Sequence, residues 1–135
     1  MKVKLEDDGE DNSELIEEIE DSFIEEYIPL PGQYEINEYR IIDLANAQVI
    51  WEDKILPLTA KEHDILEVLV RNANHIVTID ALCEAVWGDN PFGYGNSLLA
   101  HIRRIREKIE ITPSKPKSLI TVKGLGYKIN VESRL

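Results

Sequence analysis

The feature that most constrains this chain is a basic helical run followed at once by a hairpin pattern. In "SLLAHIRRIREKIEI" the apolar residues recur at i, i+4, i+7 and i+11, which predicts a helix with one buried stripe formed by Leu98, Ile102, Ile105 and Ile109. Further on, "SLITV" and "YKINV" have the pattern of two strands joined by "KGLG". We expect the glycines to supply positive φ in a tight turn.

Two more helices are expected upstream of the basic one. Thr59 and Glu62 have the spacing of a capping box, and an apolar stripe follows them. Thr78 is the expected N-cap of "IDALCEAVW", which Gly88 ends, and the third helix should begin at Asn96 or Ser97. Three helices followed by a hairpin predict an α+β winged helix-turn-helix in which the hairpin is the wing.

A small antiparallel sheet is expected before the helices. Between Tyr34 and Leu58 the short runs "YRIID", "QVIW" and "KILPL" are typical of strands, and "LANA" and "ED" between them are plausible turns. We expect Trp51 and the isoleucines of this region to be core residues.

The charge is distributed unevenly along the chain. The formal net charge of the 135 residues is −11. From Ser97 to Leu135, however, there are nine basic and three acidic residues, which gives a local charge of +6. A phosphate group meets the local potential, because charges are screened beyond about 10 Å at ordinary salt. An acidic pI of about 4.7 therefore does not exclude a nucleic-acid-binding face.

The composition predicts a boundary near residue 31. Residues 1–31 carry twelve acidic side chains and two lysines, and "DNSELIEEIEDSFIEEYI" has helical apolar spacing that Pro29 and Pro31 end. We interpret residues 1–31 as an acidic segment or linker, with at most one amphipathic helix, and residues 32–135 as the winged-helix domain. The segment is either a solvated tail or a helix that docks its apolar stripe.

Other classes of function find little support in the sequence. The single Cys83 excludes an internal disulfide, and His63, His75 and His101 form no local chelating pair, so we expect packed side chains and no metal. Nucleotide-loop, dinucleotide and Ser-His-Asp signatures are missing, which predicts no catalytic residues, no cofactor and no enzyme. The first residues lack the apolar core of a signal peptide and no membrane span is evident, so we expect a cytoplasmic protein.

Four stretches in order resemble the C-terminal DNA-binding domains of OmpR/PhoB-type response regulators. They are "LPLTAKEHDILEVLVRN", "IVTIDALCEAVWG", "LLAHIRRIREKIE" and "LITVKGLGYKIN", within about residues 39–130. The resemblance implies a four-stranded N-terminal sheet, three helices and a wing. It also implies a two-component phosphorelay regulator of transcription that binds direct repeats of double-stranded DNA as a head-to-tail homodimer.

The resemblance also assigns site residues. The third helix would be the recognition helix in the major groove, and the wing would reach the minor groove or the backbone. The expected DNA-binding residues are Asn96, Ser97, Ala100, Arg103, Arg104, Arg106, Lys108, Thr121 and Lys123. The expected partner-binding loop, which touches RNA polymerase in some family members, contains Asp89, Asn90, Pro91, Phe92 and Tyr94.

Three departures from the family pattern leave alternatives open. Leu99 stands where the family often has a polar residue, which affects the pattern of base contacts. Lys123 replaces a more usual arginine, and because lysine lacks the planar fork of arginine, insertion into a narrow minor groove should be weaker. Thirty-one residues cannot form the family's receiver domain, so the chain is either a fragment of a longer regulator or a stand-alone one. The alternative function is a winged-helix module that docks on the transcription machinery without reading DNA, which the charge of −17 over residues 1–96 favours.

Overall fold

The computed structural model describes residues 31–88 and 93–131, and the acidic segment expected at residues 1–31 lies almost wholly outside them. The described part is an α+β winged helix, as expected. Its strands are β1 (Gln33–Asn37), β2 (Arg40–Asp43), β3 (Gln48–Ile50), β4 (Ile55–Pro57), β5 (Val77–Thr78), β6 (Leu119–Val122) and β7 (Gly126–Ile129). Its helices are α1 (Ala60–Arg71), α2 (Ile79–Trp87) and α3 (Gly95–Ile109).

The N-terminal sheet is antiparallel in the order β1-β2-β3-β4. The three runs read from the residues became β2, β3 and β4, whereas β1 was implied only by the family resemblance. Of the isoleucines expected to be core, Ile36 and Ile42 are buried, whereas Ile41 and Ile50 are only half-buried. The expectation is wrong for Ile55, which is 58% exposed on edge strand β4. Trp51 is half-buried: it packs against the core, and Arg40 and Lys54 lie over its ring.

The first two helices begin where their caps predict. Thr59 and Glu62 form the capping box, in which the Glu62 amide donates to Thr59 Oγ1 at 3.2 Å and the Thr59 amide donates to Glu62 Oε1 at 3.0 Å. The Thr78 hydroxyl accepts from the Ala81 amide at 3.1 Å, and Gly88 ends the helix at φ +92°. Both expected caps are confirmed.

The third helix begins at Gly95, slightly earlier than expected. Tyr94 is its N-cap residue but has no side-chain capping bond; its carbonyl accepts from the Leu98 amide at 2.8 Å. A polar cap at Asn96 or Ser97 is therefore not used. The expected stripe of Leu98, Ile102, Ile105 and Ile109 is buried.

The wing sheet has the order β5-β7-β6. Gly124, in the turn between β6 and β7, has φ +79° and meets the expectation of positive φ. Gly126 does not, and it is needed for another reason: a Cβ there would lie 2.0 Å from the Val77 carbonyl oxygen. The backbones of β5 and β7 thus approach more closely than any side chain allows.

One hydrophobic core joins both sheets and the three helices. Its fully buried members include Ile42 of the N-terminal sheet, Leu66 of α1, Leu82 of α2 and Ile129 of β7. Cys83 is buried in the same core, where burial raises the pKa of its thiol. Within the described ranges, no helix is long and apolar enough to span a bilayer.

Candidate nucleic-acid interface

Helix α3 presents a polar face opposite its buried stripe. Asn96, Arg103 and Glu107 are exposed, and Ala100 between them is partly covered. The helix is anchored from one side by its apolar residues, and no other part of residues 31–88 and 93–131 buries Asn96, Arg103 or Glu107 on the opposite side. Leu99 is 55% exposed and adds an apolar group to the accessible surface.

Two of the expected cationic residues are open to solvent. Arg103 on α3 and Lys123 at the wing turn are exposed, and within residues 31–88 and 93–131 neither side chain makes a hydrogen bond or ion pair. Arg104 is half-exposed and its Nε lies 3.6 Å from Glu62 Oε2. These three side chains can turn towards an external anion.

Arg106 joins α3 to the wing instead of pointing outward. Its Nε and Nη2 donate to the Leu119 carbonyl at 3.0 and 2.8 Å, and Nη2 also donates to Thr121 Oγ1 at 2.8 Å. The guanidinium lies 5.9 Å from the centre of the Tyr127 ring. Arg106 therefore fixes the position of the wing relative to α3.

Lys108 joins α3 to α1. Its Nζ donates to Glu62 Oε1 at 2.6 Å and to the Pro57 carbonyl at 2.7 Å. Burial raises the pKa of the Glu62 carboxyl, but bonds from Lys108 and the Thr59 amide, with the charges of Lys108 and Arg104, outweigh it, so the pKa lies below its ordinary value. Glu62 is fully buried as a carboxylate, and Lys108 is its counterion.

An aromatic cluster holds the start of α3. The Trp87 and Tyr94 rings stack with centroids 4.8 Å apart, and His101 meets Trp87 edge-on at 5.9 Å. His101 Nδ1 lies 2.7 Å from the Ser97 carbonyl, which places it as a packed residue of the helix. Of the expected partner-binding loop only Tyr94 is described; Asp89, Asn90, Pro91 and Phe92 lie outside the described residues.

The C-terminal end of α3 meets side chains of the N-terminal sheet. Asn37, Arg40 and Trp51 donate to the backbone carbonyls of residues 109, 110 and 108. Sequence reasoning missed all three contacts. The only signal was the cluster of polar and aromatic residues at strand ends, and it did not reveal their targets.

The comparison with known proteins decides what this arrangement belongs to. The family model described as "Transcriptional regulatory protein, C terminal" matches residues 53–129, which include all three helices and both strands of the wing. The chain belongs to this family. The match confirms the resemblance to OmpR/PhoB-type regulators, and the family is one of DNA-binding domains of transcriptional regulators, not of enzymes.

Individual regulators agree with this assignment. The chain is 34% identical over 129 residues to the sensory transduction protein RegX3 of Mycobacterium tuberculosis, covering 96% of this chain and 50% of RegX3. The solved response regulator DrrB of Thermotoga maritima, an OmpR/PhoB homologue, has 30% identity and a TM-score of 0.63 over 87% of this chain and 52% of that one. The DNA-binding domain of Klebsiella pneumoniae RstA, solved in complex with the RstA box, has 26% identity and a TM-score of 0.61 over 73% of this chain and 96% of that one.

The chain spans about half the length of the RegX3 proteins of Mycobacterium tuberculosis that it matches. Since those alignments include 129 of its 135 residues, most of the acidic segment has a counterpart in these longer regulators. Helix α3 of this family member is the helix that the resemblance predicts to be the recognition helix.

One group of side chains in this family member has the spacing of a cation site. His63, Asp64 and Glu67 on α1 could bring their ligand atoms within 4.8 Å of one another. However, His63 Nε2 lies 3.0 Å from the Leu44 carbonyl and Nδ1 lies 3.4 Å from Asp64 Oδ1. Both ring nitrogens of His63 thus lie beside acceptors of the protein itself, as expected of a packed histidine.

Proposed function

We propose that this chain binds double-stranded DNA sequence-specifically and regulates transcription, with α3 in the major groove and the wing at the minor groove or backbone. The observation that carries the proposal is the geometry of the basic residues. Helix α3 is held by a buried stripe while Arg103 faces solvent, and Arg106 ties it to a wing whose turn carries exposed Lys123. A major groove about 12 Å wide admits such a helix.

The contacts proposed for DNA are fewer than the sequence suggested. Arg103, Asn96 and Ala100 are the base-facing candidates, and Arg103 can donate two hydrogen bonds to guanine O6 and N7. Leu99, which is 55% exposed, can contact a thymine methyl group. Apolar contacts of this kind discriminate between bases without adding charge.

The proposed phosphate and sugar contacts come from the margins of the same surface. Arg104, Lys123, Thr121 and Ser97 are the candidates. DNA contacts by Arg106 and Lys108 remain predictions from the sequence. In the structure the Arg106 side chain binds the wing and the Lys108 side chain binds the buried Glu62. We therefore assign these two a supporting function.

The wider biology is proposed from the family. We propose a cytoplasmic two-component regulator that binds direct repeats as a head-to-tail homodimer, with the segment around Tyr94 contacting RNA polymerase. Support comes from the family match and from RstA, whose DNA-binding domain was solved with the RstA box. The alignment over half of RegX3 supports a place for this domain in a longer regulator.

Selection of bound duplexes from a random pool tests the proposal. Residues 32–135 and the full chain should both enrich one motif, and a repeat in that motif would give the spacing of the two protomers. Titration of the selected duplex in a salt series should give a slope of about −0.9 per neutralised phosphate.

The alternative, a protein-docking winged helix, is favoured by the charge of −17 over residues 1–96 and by the exposed Leu99 on α3. The selection separates the two functions. A docking module would enrich no motif and would bind duplexes weakly at every salt concentration, because it would not neutralise phosphates.

A further inference from the structure

We propose that Asn37, Arg40 and Trp51 form a clamp that sets the tilt of α3, and that this clamp governs the discrimination between DNA sequences more than the affinity for DNA. The inference rests on the proposed DNA binding. It assigns positioning residues on a sheet that lies outside the expected DNA contacts.

The clamp supplies donors to the end of α3, where the helix cannot supply its own. The last carbonyls of an α-helix have no intrahelical partner. Trp51 Nε1 donates to the Lys108 carbonyl at 2.8 Å and Asn37 Nδ2 donates to the Ile109 carbonyl at 2.9 Å. Arg40 Nη1 donates to the Glu110 carbonyl at 2.7 Å. Three consecutive carbonyls are thus bound by three different parts of one sheet.

The donors are themselves held in place. The Arg40 guanidinium carbon lies 3.7 Å from the centre of the Trp51 ring, so each side chain restricts the other. Asn37 Oδ1 accepts from the Tyr39 amide at 2.9 Å, which orients the amide group that donates to α3. A donor with a fixed orientation can restrain the direction of the helix as well as its position.

The same helix end is also held by the segment that leads into the wing. The buried Glu110 carboxylate accepts from the backbone amides of Lys117, Ser118 and Leu119 at 2.7 to 3.2 Å. Glu110 directly follows α3 and Leu119 begins β6. The C-terminal end of α3 is therefore held by both the sheet and the start of the wing, and we take it as the pivot of the helix.

A pivot at this end has a large effect on the base-reading end. Fifteen residues at about 1.5 Å each give α3 a length of about 22 Å. A rotation of about 5° at the C-terminal end displaces the first turn by about 2 Å. Functional groups require placement to within about 0.5 Å, so bidentate base contacts are lost at that displacement. Long, flexible side chains that contact phosphates can adjust to a displacement of this size.

Trp51→Phe tests the clamp, because it removes the N–H donor and keeps an aromatic ring beside Arg40. Binding of the full-length variant is measured for the selected duplex and for a random duplex at one salt concentration. We expect about a tenfold weaker Kd for the selected duplex, the effect of one lost base contact, and less than a twofold change for the random duplex. Asn37→Ala should have the same effect.

Asn72→Ala is the matched control. Asn72 Nδ2 donates to the Val68 carbonyl at 2.8 Å, so this variant also removes a side-chain bond to a carbonyl at a helix end, but on α1. It should leave the ratio of the two affinities unchanged. Thermal unfolding of all variants accounts for any loss of folded protein.

Two results would overturn the inference. One is an equal loss of affinity for both duplexes in the Trp51 and Asn37 variants, which indicates general destabilisation. The other is wild-type discrimination in both variants. If the wild-type chain itself bound no duplex at low salt, the proposed function would fail first, and the clamp would have no role in DNA recognition.

Discussion

At the scale of single residues, position on α3 decides what each basic side chain does. Arg103 faces solvent, Arg106 binds the wing, and Lys108 neutralises a buried carboxylate, although the three lie within six positions of one another. A helix turns by about 100° per residue, so neighbouring residues meet different surroundings. Counting charges along the sequence therefore overestimates the number available to DNA.

Arg103→Ala tests this division of roles. Loss of a bidentate contact to guanine should cost about 1 to 3 kcal/mol and relax the preference at one base pair of the site. The measurement is competition binding with single-base variants of the selected duplex. Lys123→Ala is the comparison and should weaken all these duplexes evenly. Equal losses on selected and random duplexes for the Arg103 variant would reassign it to a phosphate contact.

Gly126→Ala should destabilise the fold by about 1 to 3 kcal/mol or more, because the new Cβ would lie 2.0 Å from the Val77 carbonyl oxygen and a backbone must move. Gly124→Ala is the matched variant: its Cβ would meet open space and only the strain at φ +79° remains, about 1 to 2 kcal/mol. Chemical denaturation gives both values. Equal stabilities of Gly126→Ala and wild type would show that β5 and β7 can separate without cost.

At the scale of secondary-structure elements, α1 and α3 are joined through one buried charge. Glu62 belongs to the capping box of α1 and accepts the Lys108 ammonium of α3 at 2.6 Å. Removing one partner of a buried pair leaves an uncompensated charge, which costs more than the pair itself contributes. The cap that starts α1 therefore also fixes the position of α3.

The stability of this junction should depend on pH. The pKa of Glu62 is lowered in the fold, as is that of Asp43, where amide donors outweigh the raising effect of burial. A lowered carboxyl pKa contributes stability above the unfolded value, about 3.9 for Asp and 4.3 for Glu, and that contribution is lost as pH falls through the folded pKa. Denaturant unfolding between about pH 7 and pH 3 should show this decline.

Glu62→Gln should lower the stability at neutral pH and reduce its dependence on pH between neutrality and the acid range. Glu67→Gln is the control, since Glu67 makes only an exposed contact with Arg71 at 3.8 Å. A Glu62 variant whose pH dependence matched that of wild type would exclude Glu62 as a source of the decline.

The elements could be predicted from the sequence where the signal is local. Capping boxes and apolar stripes act within a few residues, so α1, α2 and the buried side of α3 were predicted correctly. Strand β1 was not read from the residues, and the partners of Trp51 and Lys108 were not found, because these contacts span 57 and 46 positions. Side-chain bonds to distant backbone carbonyls leave no periodic pattern.

At the scale of the whole molecule, charge is separated along the chain. Residues 1–31 have twelve acidic and two basic side chains, and the last 39 residues carry a charge of +6. We propose that the acidic segment competes with DNA for the basic face. An acidic segment on the same chain has a high effective concentration, so it can compete without strong affinity.

Deletion of residues 1–31 tests this competition. The truncated chain should bind the selected duplex several-fold more tightly at low salt, and the difference should shrink as salt screens the charges. Titrations of both chains across the same salt series provide the measurement. An unchanged affinity at low salt would contradict the competition and leave the segment with a different role.

The pairing of β5 with β7 limits the DNA sites that fit the proposed function. Strand β7 of the hairpin pairs with β5, whose last residue Thr78 directly precedes α2, and Arg106 binds the hairpin to α3. These contacts hold the wing in a fixed position relative to α3. If α3 and the wing contact DNA as proposed, the distance between their two contact sites on the duplex should be constant. Inserting one base pair between those sites should then weaken binding more than changing one base pair within either site.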